Sequence, residues 1–288
     1  MPIYRSERLF HIVNMVVFAL IGFSMLAPML HVLAVSLSSY DYVNLDQVYL
    51  WPKGFTAGVY KLIFADANLW RALGVSAYVT VMGTLVYLFF TSTMAYSLSR
   101  PYMVGRAFIL KAILVTFIFS APLIPRFMVV HHLGMINTLW SLIIPGAVGG
   151  FGVIIMKTFF QGISSEIFDA GYIDGCSEFG IYARLTIPLS APVFATLGLM
   201  HAVGEWNSYF DALIYIRDKD LYPIQIVLRS LVQSSELGME FDKTEIETHA
   251  IETLKSGVII FATVPIILVY PFLQKYFIKG AYVGSLKE

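Results

Sequence analysis

The chain is poor in cysteine, in charge and in any excess of one sign. Cys176 is the single cysteine among 288 residues, so no internal disulfide can form and a disulfide scaffold is excluded. Charged residues make up 13%, against roughly 25% in ordinary soluble domains. The 19 basic and 19 acidic residues cancel, which leaves no electrostatic footprint for nucleic acid. No Gly-Lys dipeptide occurs, so a standard phosphate-cradling loop of the Walker A type is excluded. Low-complexity segments and evident internal repeats are also missing. What remains is apolar: 58% hydrophobic residues and a mean hydropathy of +0.73. At roughly 150 residues per domain the length would suit two soluble domains. A soluble fold of this size could not hide so much apolar surface, so the sequence reads as an all-α integral membrane protein.

A helix needs about 20 mostly apolar residues to cross roughly 30 Å of hydrocarbon. Stretches free of Asp, Glu, Lys and Arg predict six spanning helices, near 10–36, 72–99, 107–130, 138–160, 191–213 and 256–277, in one transmembrane domain, 1–288. The third is the weakest. Its uncharged run, 112–125, spans only if Lys111 and Arg126 snorkel toward opposite interfaces. Six spans put both termini on one side. The 100–111 connection holds three basic residues and no acid, and the C-terminal tail three against one. Short basic segments face the cytoplasm, so both termini are expected there. The segments 37–71 and 214–255 then become external loops. The second carries eight acids against five bases between Arg217 and Lys255, the pattern of a solvated loop.

The longest inner connection, 161–190, is too polar for lipid. Ser164 or Ser165 can cap a helix, with Glu166 and Asp169 near its start where the dipole favours acids. Gly175 can end it in a left-handed conformation. Ser177 can cap a second helix, which Pro188 stops. A short helix–glycine–helix unit on the inner membrane face suits docking of a soluble partner, or is simply an interfacial hairpin.

This segment resembles the EAA loop of ABC-importer permeases. Asp169, Ala170 and Gly171 take the first three places, Gly175 matches the glycine, and Leu185, Ile187 and Pro188 take the closing places with Leu and Ile exchanged. Asp replaces Glu, and Gly replaces the second Ala. The resemblance extends to WPKGFTAGVY (51–60), AYSLSRPYMVGR (95–106), LGMINTLWSLIIP (133–145), EWNSYFDALI (205–214) and QKYFIKGAYVGSLK (274–287). These look like the second permease of the carbohydrate, maltose-type branch, and nearest to importers of oligosaccharides from polysaccharides such as alginate and pectin.

The resemblance implies a six-helix type I importer permease in a bacterial inner membrane. It implies a heterodimer with a second homologous permease, two ATPase subunits that bind ATP and Mg, and an extracytoplasmic sugar-binding protein. This chain would hold no cofactor, perform no catalysis and contribute half a channel. Asp169, Ala170, Gly171, Asp174 and Gly175, flanked by Phe179, would then be the ATPase-coupling contact. The acidic external loop would reach the docked binding protein.

Glu205, Trp206, Asn207, Tyr209, Phe210 and Asp211 fall in the outer half of the fifth predicted helix. A charge inside a span is a functional hypothesis by default, and aromatic rings beside amides and carboxylates suit sugars. Glu205 and Tyr209 would share a helical face. The other readings are an interfacial aromatic belt and a carboxylate paired across a subunit boundary. An acidic sugar would be repelled by Glu205 and Asp211 unless Arg or Lys from the partner permease offsets them. His131, His132 and His201 show no metal-ligand spacing. Arg126, directly after Pro125, could reach the external partner or a lipid phosphate, and the lipid or structural role is favoured. A secondary transporter working alone is the rival function; it would be expected to show corresponding broken helices in two repeated halves.

Overall fold

The computed structural model describes residues 5–119, 121–237 and 251–285, and every regular element among them is helical. The helices are α1 (Arg5–Ser36), α2 (Tyr40–Asn44), α3 (Gly58–Ala65), α4 (Ala67–Ser99), α5 (Arg106–Ile118), α6 (Leu123–His132), α7 (Trp140–Ile143), α8 (Gly150–Gln161), α9 (Ser165–Ile173), α10 (Glu178–Ile181), α11 (Ile187–Leu189), α12 (Ala191–Asn207), α13 (Phe210–Tyr215), α14 (Ile224–Leu237) and α15 (Ile251–Ser285). Three stretches are long and apolar enough to span by themselves: Leu9–Ser36, Ala67–Ser99 and Ile251–Val269. Three bent pairs bring the total to six if each pair counts as one span.

The bends fall where the backbone chemistry demands them, and they correct the continuous helices expected over 107–130, 138–160 and 191–213. The third stops at Ile118 and restarts behind Pro122, because proline lacks an N–H and pushes the residue before it out of the helical region. The fourth bends by 50° between Trp140–Gly146 and Gly150–Gln161, with Pro145 and the Gly149–Gly150 pair at the joint. The fifth ends at Asn207, and Ser208 is extended. There the Asn207 side-chain amide donates to the Val203 carbonyl at 2.8 Å and competes with the backbone for it. Tyr209 to Asp211 therefore do not continue the helix of Glu205, and the expected shared face of Glu205 and Tyr209 is lost. The sixth runs on through Pro265 and Pro271 to Ser285.

The chain separates into two compact units, Met1–Trp70 with Val227–Val264, and Arg71–Ile226 with Pro265–Glu288. In the first, the end of α1 packs on the following loop through Ala34, Val35 and Val48. Gly257 lets α15 approach α3, since a Cβ there would stand 2.7 Å from Val59 and 2.8 Å from Ile63. The apolar window of α1 is wholly unburied within the chain, as suits a helix facing lipid or another subunit. The second unit holds two apolar cores. One joins Tyr87, Tyr96 and Leu98 of α4 to Ile113, Met156, Phe160, Tyr182 and Leu197; the other joins Val75 and Val79 to Val130, Ile143, Ala212 and Tyr215.

Candidate functional site

The 161–190 segment folds as two short helices around a glycine. Ser164 caps α9, its Oγ accepting from the Glu166 N–H at 3.4 Å. Gly175 ends the turn at φ +78°, a conformation in which any Cβ is strained. Ser177 caps α10, accepting from the Gly180 N–H at 3.2 Å. Beyond it a π turn, Tyr182–Thr186, leads into α11, so Pro188 enters where the α-ladder is already broken. Asp169, Ala170, Asp174, Gly175 and Phe179 are all exposed. So is Ile173, at 86%. Gly171 is different: it is buried, and a Cβ would stand 2.9 Å from Leu185 Cδ1. Glycine at this position lets α9 lie close on the 181–185 turn.

Beside that face lies a polar knot that sequence reasoning missed. The Glu178 carboxylate accepts from Tyr102 at Oε1 at 2.5 Å, from Tyr172 at Oε1, and from Tyr96 at Oε2 at 2.7 Å. Arg100 donates to the Tyr96 hydroxyl at 2.8 Å. Its guanidinium lies over the rings of Phe168 and Tyr96, 3.8 and 4.4 Å from their centroids. Arg100 is 9% exposed. Burial raises the Glu178 carboxyl, but the three phenols and the Arg100 charge outweigh it and hold the group below its ordinary value. Burial, then the Glu178 bond, push the Tyr102 and Tyr172 hydroxyls up. The available signal was the tyrosines and arginine in 95–106, which carry no charge pattern pointing to Glu178.

In the second candidate region only Glu205 and Asp211 come together, lining one small pocket with Ser76, Leu142 and Ser208. Glu205 is half-buried and faces His201 at 3.7 Å. His201 stacks on Tyr87 with centroids 4.2 Å apart and meets Thr84 Oγ1 at 3.4 Å. Gly83 and Gly146 leave room for the carboxylate; a Cβ on Gly146 would lie 3.2 Å from Glu205 Oε1. Trp206 turns elsewhere. It is 8% exposed and lines an apolar cavity of about 480 Å³ with Leu73, Val81, Leu199 and Ile266. Asn207 is exposed and Tyr209 half-buried. Asp211 pairs with Arg126, whose Nε also donates to Tyr215 Oη at 3.2 Å. Arg126 thus has a partner in its own chain rather than a free, lipid-facing role. Among the described residues no group of three His, Cys, Asp or Glu side chains could hold a metal ion.

No protein-family model matches the chain. The polygalacturonan/rhamnogalacturonan transport system permease protein YtcP of Bacillus subtilis (strain 168) is 41% identical over 263 residues, covering 90% of this chain and 92% of that protein. Protein LplC of the same organism is 40% identical over 284 residues, covering 98% and 96%. A solved chain from a bacterial ABC transporter that imports the acidic polysaccharide alginate superposes with a TM-score of 0.89 at 30% identity, covering 96% of this chain and all of that one. The chain belongs to the permease subunits of carbohydrate-importing ABC transporters. As such a permease it is a multi-pass membrane protein and a transport subunit, not an enzyme. Its ABC partners are separate proteins.

Proposed function

We propose that this permease forms half of the translocation pathway of an importer for acidic oligosaccharides released from polysaccharides of the pectin or alginate kind. It pairs with a second homologous permease. Two ATPase subunits bind ATP and Mg, and an extracytoplasmic protein delivers the sugar. Both termini lie in the cytoplasm of a bacterial inner-membrane complex; the three bases and no acid of the 100–111 connection favour that side. Residues 161–190 are the coupling loop. The acidic external loop reaches the binding protein; four of its eight acids fall in 238–250, outside the described residues.

The observation that carries the reading is the capped helix–glycine–helix of 164–181, with Asp169, Asp174, Ile173 and Phe179 presented outward. Exposed apolar side chains between acids on a rigid surface suit a protein partner better than water. The acidic-substrate reading leans on the polygalacturonan and alginate relatives. It also agrees with the pairing of Asp211, one of the two acids expected to repel such a sugar, with Arg126.

The test is reconstitution. The full complex in proteoliposomes should accumulate labelled galacturonate or alginate oligosaccharide only with ATP and the loaded binding protein. This chain alone should give no uptake and no phosphate release above empty vesicles. Uptake by the chain alone would overturn the reading in favour of a secondary transporter.

A further inference from the structure

We infer that Glu178 is a positioning residue for coupling: with Tyr102, Tyr172, Tyr96 and Arg100 it locks the coupling loop to the end of α4 so that both move as one body. The inference rests on the coupling-loop reading above and adds a load path to it. The covalent route from α9 to the spanning helices is poor. It passes the Gly175 turn, the π turn at Tyr182–Thr186 and a 78° bend before α12. A push on α9 would be absorbed there.

The knot bypasses that route. Phe168 and Tyr172 belong to α9, Glu178 begins α10, Tyr96 lies in the last turn of α4, and Arg100 and Tyr102 follow it. One carboxylate takes three phenolic donors, and one buried guanidinium is held between rings from α4 and α9. Charge-assisted hydrogen bonds are roughly twice as strong as neutral ones. A stacked guanidinium also resists sideways motion, which a lone surface pair does not. A second tie lies deeper, where Ser92 Oγ meets the Tyr182 hydroxyl at 2.6 Å. None of these groups is among the outward residues Asp169, Asp174 or Phe179, so the knot can be cut while the docking face stays intact.

The experiment compares the complete complex with Glu178→Ala, Glu178→Gln and the double variant Tyr102→Phe/Tyr172→Phe. Sugar imported per ATP hydrolysed is the first readout. Glu178→Ala should lower that ratio about tenfold, with ATPase subunits still co-purifying, since it removes three charged hydrogen bonds. The double Phe variant keeps Tyr96 and should lose about threefold, while Glu178→Gln, which keeps the shape and one acceptor, should recover most of the ratio. Hydrogen exchange is the second readout and is independent of transport. Amides of 165–178 and 100–106 should lose protection together in Glu178→Ala. An unchanged ratio in both the Ala and the double Phe variants, or unchanged exchange in those two segments, would overturn the inference. A wild-type complex that shows the coupled exchange but no ATP-driven uptake would overturn the importer reading and leave the knot standing.

Discussion

Glu178 and Glu205 are both carboxylates on the run of helices from α10 to α12, yet their surroundings are opposite. Glu178 is an exposed residue whose carboxylate is nevertheless satisfied by three phenols. Glu205 is half-buried, and the cation-capable group it faces, His201, stands at 3.7 Å, beyond hydrogen-bond reach. Its carboxylate, beside Gly83 and Gly146 in a small pocket, has room left for a ligand. A saturated carboxylate at a surface has none, and its role is to hold parts together. Satisfaction, rather than charge or burial, separates the two carboxylates, and the proposed function assigns force transmission to the first and the sugar path to the second.

The largest expected effect breaks the force-transmitting side. Gly175→Pro cannot adopt φ +78°, and it loses the N–H that donates to the Tyr172 carbonyl at 3.0 Å. A cost of about 3 kcal/mol or more is expected, with loss of ATPase stimulation by the loaded binding protein. Gly175→Ala meets nothing within 4 Å, so it bears only the left-handed penalty of about 1–2 kcal/mol and should keep most stimulation. Equal behaviour of the two variants would show that backbone conformation at 175 does not matter.

Next comes the ion pair at the other end. Arg126→Ala leaves Asp211 and the Tyr215 hydroxyl without their donor. Both partners are about a third exposed, so solvent screens the loss, and about 1 kcal/mol is expected. Arg126→Ala/Asp211→Ala should recover most of it in thermal unfolding of the purified complex. Failure of the double variant to recover would mean that the pair is not coupled in stability. Uptake of acidic and neutral oligosaccharides, compared in Arg126→Ala, separates this from a direct role: a larger loss for the acidic sugar places the guanidinium on the path.

Trp206 and Glu205 give the sharpest contrast within the path region. The indole lines an apolar cavity and the carboxylate faces His201. Trp206→Ala should therefore lower stability by about 3 kcal/mol or more through lost packing. It should not change the ratio of acidic to neutral sugar uptake. Glu205→Gln should do the reverse. A changed ratio in Trp206→Ala at matched protein levels would restore the sugar-stacking reading.

Much of the fold was legible because hydrocarbon thickness is a strict ruler. Charge-free runs located six apolar regions, and Ser164, Gly175 and Ser177 marked the helix–glycine–helix unit of 164–181 by local chemistry. The breaks within spans were not legible. Pro122 and Pro145 break their spans, while Pro265 and Pro271 lie inside an unbroken α15, and sequence alone does not rank them. The Glu178 knot was hidden for another reason. Its members sit in 96–102 and 168–178, and no periodicity links two segments that meet only through tertiary packing. The same holds for Arg126 and Asp211, and for Gly83 and Gly146 around Glu205.

A pH test examines the knot without mutation. Glu178 titrates below its ordinary value. A depressed carboxylate contributes stability that is fully present above its unfolded pKa and lost as pH falls through the folded one. The unfolded value is about 4.3, so the contribution should be constant from about pH 8 to 5 and disappear only below that ordinary range. Exchange protection of 165–178, measured across that interval, should therefore be flat once corrected for intrinsic rates. A midpoint near pH 6 would show that Glu178 is raised rather than lowered and that the phenols do not hold it charged.

The smallest effect belongs to Gly171→Ala. Two terms oppose each other. Alanine is better than glycine inside a helix by about 0.8–1 kcal/mol. Against this, its Cβ would meet Leu185 Cδ1 at 2.9 Å and Ile181 Cγ1 at 3.4 Å, and overpacking costs about 1–3 kcal/mol. Leu185 is half-buried and the atom in question is the far end of its side chain, so a small rotation relieves most of the clash. The net should lie within about 1 kcal/mol of zero, with coupling nearly intact, since the outward residues and the knot are untouched. A loss as large as that of Gly175→Pro would mean that the 181–185 turn is rigid. The close approach of α9 would then matter as much as the knot in carrying force to α12.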